Sequence, residues 1–218
     1  MANYGLIVNV DKCINCHACF VACKEENKVA PGIQWNQLHR AENERERIIN
    51  YFRVGCMHCE DPACMKICPM KAIHKGPGGE VLVDGSKCIG CGMCAKACPW
   101  DVPRFNTSGR TNYFDKAPLA EAPVQPWQKR TPGKAERCTL CTHRTQQGLP
   151  PKCVEVCPTK SLVFVDYDKP TEEQAKLIAR AVPLGGVTAT KPKVLYAATH
   201  CDPAALKDRM REPDGPRS

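Results

Sequence analysis

The sequence predicts a loop-rich α+β fold built from repeated units, and three observations carry that prediction. Sixteen of the seventeen cysteines fall into four groups of four: Cys13, Cys16, Cys19 and Cys23; Cys56, Cys59, Cys64 and Cys68; Cys88, Cys91, Cys94 and Cys98; Cys138, Cys141, Cys153 and Cys157. Three of the groups run straight into a proline, at Pro69, Pro99 and Pro158. Short apolar, β-branched runs lie between them. Leu6-Ile7-Val8, Val81-Leu82-Val83 and Leu162-Val163-Phe164-Val165 read as strands, and the segments spanning the last two cysteines of each group read as short helices stopped by the proline that follows.

Groups one and three have the C-x2-C-x2-C-x3-C spacing of bacterial ferredoxins, in which one turn presents three thiolates to a cubane and the fourth cysteine reaches a different cluster. Four groups therefore predict four [4Fe-4S] clusters. The groups are also internal repeats. Cys13-Ile14-Asn15-Cys16 matches Cys88-Ile89-Gly90-Cys91, while groups two and four share C-x2-C, a longer loop and C-x3-C-P-x-K ending at Lys71 and Lys160. The order is A-B-A′-B′, and each A-plus-B pair predicts a ferredoxin-like unit with swapped fourth ligands. The repeats leave two pairings open, tandem (one with two, three with four) or nested (one with four, two with three).

The remaining segments are long insertions and loop-rich connections. Residues 24 to 50 form one insertion, whose charged stretch Glu42 to Arg47 reads as a solvated helical face. Group one ends Cys23-Lys24 without a proline, so its helix is expected to continue into Glu25 and Glu26. Residues 106 to 137 carry Pro118, Pro123, Pro126 and Pro132 and read as a surface excursion. Thr171-Glu172-Glu173-Gln174 is a capping box for a helix over Ala175 to Ala181, closed by Pro183. The charged tail after Ala204 is expected to be mobile.

Composition narrows the function. The chain has 218 residues and is 43% hydrophobic, a fraction that includes all 17 cysteines. Without them roughly a third remains, lean for a self-sufficient core, so metal must supply much of the folding energy. The formal charge of +8 counts cysteine as neutral. Four cubanes, each about −2 with its thiolates, bring the loaded protein close to neutrality. Lysines and arginines near the clusters are then expected to offset buried anionic charge, and a nucleic-acid partner loses its support. Disulfides call for a secreted chain, and the N-terminus shows no signal peptide. Structural zinc favours paired C-x2-C knuckles, not triplets ending in Cys-Pro. No apolar run has the length of a membrane span. Every thiolate position is filled, so His17, His58 and His143 are read as local hydrogen-bonders, and Cys201, outside all groups, as a lone semi-buried thiol.

The order of the groups, the four-residue gap inside group two, the longer gap from Thr142 to Lys152 inside group four, and Cys-Thr-Leu-Cys-Thr-His-Arg at 138 to 144 together resemble a known subunit type. It is the four-cluster iron–sulfur (beta) subunit of the molybdopterin oxidoreductases, the dimethyl sulfoxide reductase family. Polysulfide, thiosulfate, tetrathionate and respiratory arsenate reductases and pyrogallol transhydroxylase are its relatives. The likeness covers residues 4 to 170, and Lys191 to Tyr196 looks like a terminal strand of many members. The resemblance implies nested pairing. Cluster one would take Cys13, Cys16, Cys19 and Cys157, and cluster two Cys23, Cys138, Cys141 and Cys153. Cluster three would take Cys56, Cys59, Cys64 and Cys98, and cluster four Cys68, Cys88, Cys91 and Cys94. A nitrate reductase relative has tryptophan for one cysteine of its third group and a three-iron cluster there; Cys94 is present here, implying four irons.

The function implied is a non-catalytic electron-transfer subunit of an oxidoreductase complex active in anaerobic respiration. It would link a molybdopterin (or tungsten) catalytic alpha subunit, on the side of groups one and four, to a quinone-reactive membrane subunit on the side of groups two and three. The alternatives are the beta subunit of a non-respiratory hydroxytransferase or dehydroxylase heterodimer, a free polyferredoxin or hydrogenase-linked carrier, and a zinc scaffold. The expected organisation is unit one from residues 1–30 plus 138–170, unit two from 51–105, the Pro-rich excursion 106–137, and a C-terminal helix, strand and tail over 171–218. The location is cytoplasmic, or periplasmic by export with a twin-arginine partner, with any membrane attachment made through a partner.

Overall fold

A computed structural model describes residues 2–43, 47–110 and 125–210. In chain order the elements are β1 (Tyr4–Asn9), α1 (Ala18–Asn27), β2 (Asn36–Asn43), β3 (Ile48–Gly55), α2 (Ala63–Lys66), β4 (Ile73–Lys75), β5 (Val81–Val83) and α3 (Met93–Lys96). They continue as β6 (Arg104–Phe105), β7 (Ala135–Glu136), α4 (Thr142–Thr145), α5 (Lys152–Glu155), β8 (Leu162–Asp166), α6 (Glu172–Ile178), β9 (Val194–Ala197) and α7 (Pro203–Leu206). The mixture of short helices and small sheets is the expected α+β class.

The central sheet has the order β8-β1-β9, with β1 antiparallel to β8 and parallel to β9. Leu6, Ile7 and Val8 are fully buried because the sheet is covered on both faces. Leu6 and Val8 meet Phe52, Tyr196 and the sulfurs of Cys19, Cys153 and Cys157, while Ile7 meets Val165, Ala197 and, from α6, Leu177 and Ile178. A strand buried on both faces reads as a continuous apolar run, which is why its position is plain in the sequence.

The three proline-bearing groups share one local shape. α2, α3 and α5 carry Cys64, Cys94 and Cys153, and the N–H of the fourth cysteine bonds back to Met65, Ala95 or Val154. Each helix ends before its fourth cysteine, so the turn and not the proline closes it. After the proline a residue sits in the left-handed region, Lys71 (φ 49°), Asp101 (φ 47°) or Lys160 (φ 54°), with its N–H on the cysteine carbonyl. The Cys-Pro-x-Lys repeat is therefore a turn signature. In group one, which lacks the proline, α1 runs on through Glu25 and Glu26 to Asn27 as expected.

Three expectations are corrected. The stretch Glu42 to Arg47 is not a helical face: Glu42 lies in β2, which pairs with β3 as a hairpin from Asn36↔Gly55 to Asn43↔Ile48, and Arg47 (φ 54°) is a turn residue just before β3. Residues 44–46 lie outside the described residues. The excursion is not surface throughout: Ala135 and Glu136 form β7 against β6, and Ala135, Glu136 and Arg137 are buried, while 111–124 lie outside the described residues. The tail after Ala204 is structured as far as Met210, since Leu206 is buried and packs into the main core; the rest lies outside the described residues.

The capping box is present. Thr171 accepts from the N–H of Gln174, whose side chain accepts from the N–H of Thr171. α6 covers the sheet face opposite the cysteines. Thr171→Ala is expected to cost about 1 kcal/mol locally, read as faster amide exchange in α6 with unchanged iron content; coupled loss of iron would contradict the placement of α6.

Candidate metal centres

Each half-site begins as a turn. In Cys13-Ile14-Asn15-Cys16-His17, Asn15 (φ 57°) and His17 (φ 59°) are left-handed, and in the matching repeat Gly90 and Gly92 (both φ 75°) take those places. Asn and Gly tolerate that region best, so the repeat's residue choices follow from its backbone. At Gly90 a Cβ would also collide with the carbonyl oxygen of Gly133.

Sulfurs from different groups lie together, and two pockets are each lined by a quartet of cysteines drawn from two groups. Cys68 lines one pocket with Cys88, Cys91 and Cys94, and Cys23 lines another with Cys138, Cys141 and Cys153. Cys13 stands within electrostatic reach of Cys16 and Cys157, and Cys19 of Cys13 and Cys157. Cys59 stands likewise by Cys64 and Cys98, and Cys56 by Cys64. Neighbouring quartets touch in sequence. Cys19 acts on Cys153, Cys138 packs against Cys56 and Val102, and Cys64 packs with Cys94. At the two ends of this row Cys16 and Cys91 are exposed.

Burial governs the protonation of these sulfurs. Desolvation pushes Cys56 up to about 12 and Cys141 up to about 11, and raises Cys23 and Cys153 as well. Cys157 is the exception: burial raises it too, but hydrogen bonds from Leu162, Thr159 and Ser161 outweigh that and leave it lowered. As thiols Cys23, Cys56, Cys141 and Cys153 stay neutral around pH 7. They ionise when a metal displaces the proton.

Two guanidinium groups lie among them. Arg53, 1% exposed, donates from Nη2 to Cys138 Sγ at 3.7 Å and from Nε to Asn36 Oδ1 at 3.2 Å, and its Nη1 has no protein partner. Arg137, 3% exposed, donates from Nη1 to Cys64 Sγ at 3.1 Å, with Nε and Nη2 unpartnered. A cation sealed among neutral thiols is costly, whereas anionic thiolate-bound clusters would balance it. Asn27 Nδ2 adds contacts to Cys23 and Cys141 sulfur, and Thr190 Oγ1 lies 3.4 Å from Cys59 Sγ. Among the described residues no three His, Cys, Asp or Glu side chains are arranged to hold a single ion. The donor set fits iron–sulfur clusters.

His58 accepts from Val81 N–H at 3.0 Å and is kept neutral by burial and by Arg53 and Arg137. His143 pairs with Glu26 at 2.8 Å and stacks on Trp127 with ring centres 4.7 Å apart. Both are the local hydrogen-bonders expected. His17 meets Phe20 edge-on. Cys201 is half-buried against the main core.

A 4Fe-4S dicluster domain family model matches residues 48–119 and 121–167, and a 4Fe-4S binding domain model matches residues 10–26. The arsenate respiratory reductase iron–sulfur subunit of Shewanella sp. (strain ANA-3) is 34% identical over 88% of this chain and 94% of its own length. The protein belongs to the iron–sulfur subunits of the molybdopterin oxidoreductases. An anaerobic dimethyl sulfoxide reductase chain of Escherichia coli (strain K12) is 31% identical, over 88% of this protein and 87% of the relative. A selenate reductase subunit of Mesobacillus selenatarsenatis is 32% identical, over 88% and 70%. This iron–sulfur subunit is an electron-transfer protein carrying [4Fe-4S] clusters, four in keeping with its family.

Protons compete with iron for the buried thiols of the iron–sulfur subunit, so iron retention is expected to weaken as pH falls. Loss of iron to a chelator should run faster at pH 6 than at pH 8. Equal rates would mean that thiol protonation does not govern retention.

Proposed function

We propose that each sulfur quartet holds one cluster. Cys13, Cys16, Cys19 and Cys157 bind the first, Cys23, Cys138, Cys141 and Cys153 the second, Cys56, Cys59, Cys64 and Cys98 the third, and Cys68, Cys88, Cys91 and Cys94 the fourth. In this reading unit one is residues 1–30 with 138–170, and unit two is residues 51–105. Each cluster, when bound, takes up and passes on one electron. The protein's part is to hold the sulfurs, keep water from the inner quartets and neutralise charge. With every ligand a cysteine, no iron is left open to a substrate, and the chain acts as a conductor for a catalytic subunit.

The observation that supports the reading is that sulfurs from different groups line common pockets while Cys16 and Cys91 are exposed. Close to Cys16 in the chain, Ile14 and Val21 are each 61% exposed. Around Cys91 stand the exposed side chains of Ile89, Met93 and Met70. Exposed apolar patches of this kind mark protein contacts. The Cys16 end would meet a molybdopterin (or tungsten) catalytic subunit and the Cys91 end a quinone-reactive membrane subunit. No helix among the described residues is long and apolar enough to cross a membrane, so a membrane link would run through that second partner.

Anaerobic metal analysis should find about sixteen irons per chain, four per cubane, with matching sulfide; eight or fewer irons, or stoichiometric zinc, would overturn the reading. Cys68→Ser should disturb the same paramagnetic signal as Cys91→Ser and spare the one that Cys59→Ser disturbs. Damage to one shared signal by Cys68→Ser and Cys59→Ser would rule out exchange of fourth ligands.

A further inference from the structure

The two buried arginines are placed by a rule that the cysteine pattern does not contain. Each touches a sulfur of an inner quartet, Arg53 at Cys138 and Arg137 at Cys64. In the outer quartets the contacts to sulfur come from uncharged groups. The backbone N–H groups of Ala72 and Ala135 donate to Cys68 and Cys88, and the Thr159 hydroxyl lies beside Cys157. The inner quartets thus hold a fixed positive charge in contact with sulfur.

Arg53 is held at both its backbone and its side chain. Asn36 accepts from Arg53 Nε and donates its own Nδ2 to Cys19 O at 3.0 Å, and the Tyr196 hydroxyl donates to Arg53 O at 2.8 Å. Arg137 follows directly on β7, whose Glu136 accepts from Trp35 Nε1 at 3.0 Å. Neither cation faces a carboxylate among its strongest neighbours: those of Arg53 are Cys138, Cys153, Tyr196 and Cys19, and those of Arg137 are Cys56, Cys64 and Cys94. Their unpartnered N–H groups lie in the same surroundings. Such a charge costs free energy to bury and is balanced only by negative charge on the sulfurs.

We propose that Arg53 and Arg137 set the reduction potentials of the two inner clusters, each raising the potential of the cluster whose sulfur it touches. Reduction adds one electron and no proton, so the reduced cluster carries one more negative charge. A fixed cation in a low-dielectric interior favours that state over the oxidised one. Each arginine also lies within reach of the adjacent outer quartet, through Cys19 and Cys94. The effect there is smaller, with no sulfur contact to carry it. The chain then has two centres held ready to accept an electron between two whose potentials rest on backbone dipoles and solvent.

The inference rests on the quartet assignment, and the two fail differently. If Cys138→Ser and Cys23→Ser disturb different paramagnetic signals, the assignment is wrong. The proposal itself is tested by dye-mediated redox titration with dithionite, monitored by paramagnetic resonance, on the anaerobically purified complex. In Arg53→Met the signal disturbed by Cys138→Ser should lose at least tenfold in its reduction equilibrium, about 59 mV for one electron. The fourth cluster's signal should not move. Arg137→Met should do the same to the signal disturbed by Cys64→Ser. Arg53→Lys and Arg137→Lys, which keep the charge, should shift less than half as far. Fully loaded Met variants with wild-type potentials would overturn the proposal. If a Met variant loses iron, the Lys variant decides: full loading with Lys shows that the charge is what the site needs, and equal loss with Lys assigns the arginine to packing and overturns the proposal.

Discussion

The interior of this protein must be dry enough to hide sulfur and yet tolerate negative charge on it. Most of the sixteen grouped cysteine sulfurs are buried, in the company of Leu6, Phe52 and Leu140. Empty, they are neutral thiols that pack as small hydrophobes. Loaded, they are thiolates, and the same interior must accommodate several anionic groups within a few ångströms of one another. Arg53 and Arg137, costly anywhere else, belong there for that reason, and the large formal positive charge of the sequence reflects a balance struck inside the molecule as much as an outer surface.

That constraint also explains how little regular structure the centres use. A turn that points three sulfurs inward needs left-handed residues such as Asn15, His17, Gly90 and Gly92, which neither helix nor strand can supply. Regular elements serve instead as fasteners. The β8-β1-β9 sheet brings the first and last parts of the chain together, and Asp11 accepts from the Thr199 N–H and hydroxyl beside it. Residues 125–130 cover the second quartet's side: Trp127 stacks on His143, Gln128 donates to Glu26 O, and Arg130 lies over the Trp35 ring.

What the sequence makes legible is whatever is fixed by local chemistry. The cysteine spacing, the doubly buried runs at Leu6 and Leu162, and the Thr171 capping box each depend on neighbours within a few residues. The hairpin of β2 and β3 escapes such a reading because the charged run Glu42 to Arg47 dominates its sequence and masks the alternation of Leu38, Phe52 and Val54, which face the core. Ala135, Glu136 and Arg137 read with the Pro-rich stretch they follow, although their burial comes from β6 and Trp35, far away in sequence. Basic residues are expected to offset cluster charge, but nothing local distinguishes Arg53 from the other arginines. Its role comes from a sulfur that lies on another group of the chain.

The central sheet also bears on how the protein is made. β1 is made well before both its partners, since its antiparallel neighbour is Leu162–Asp166 and its parallel neighbour Val194–Ala197. The β4–β5 hairpin, by contrast, closes within a few residues of synthesis. A nascent chain therefore carries an apolar strand with both edges open until the codons of β8 have been read, and open strand edges invite association with other chains. A message cut between the codons of Asp166 and Val194 would leave β1 paired on one edge only, so such a defect would surface as aggregation through the edge that β9 covers.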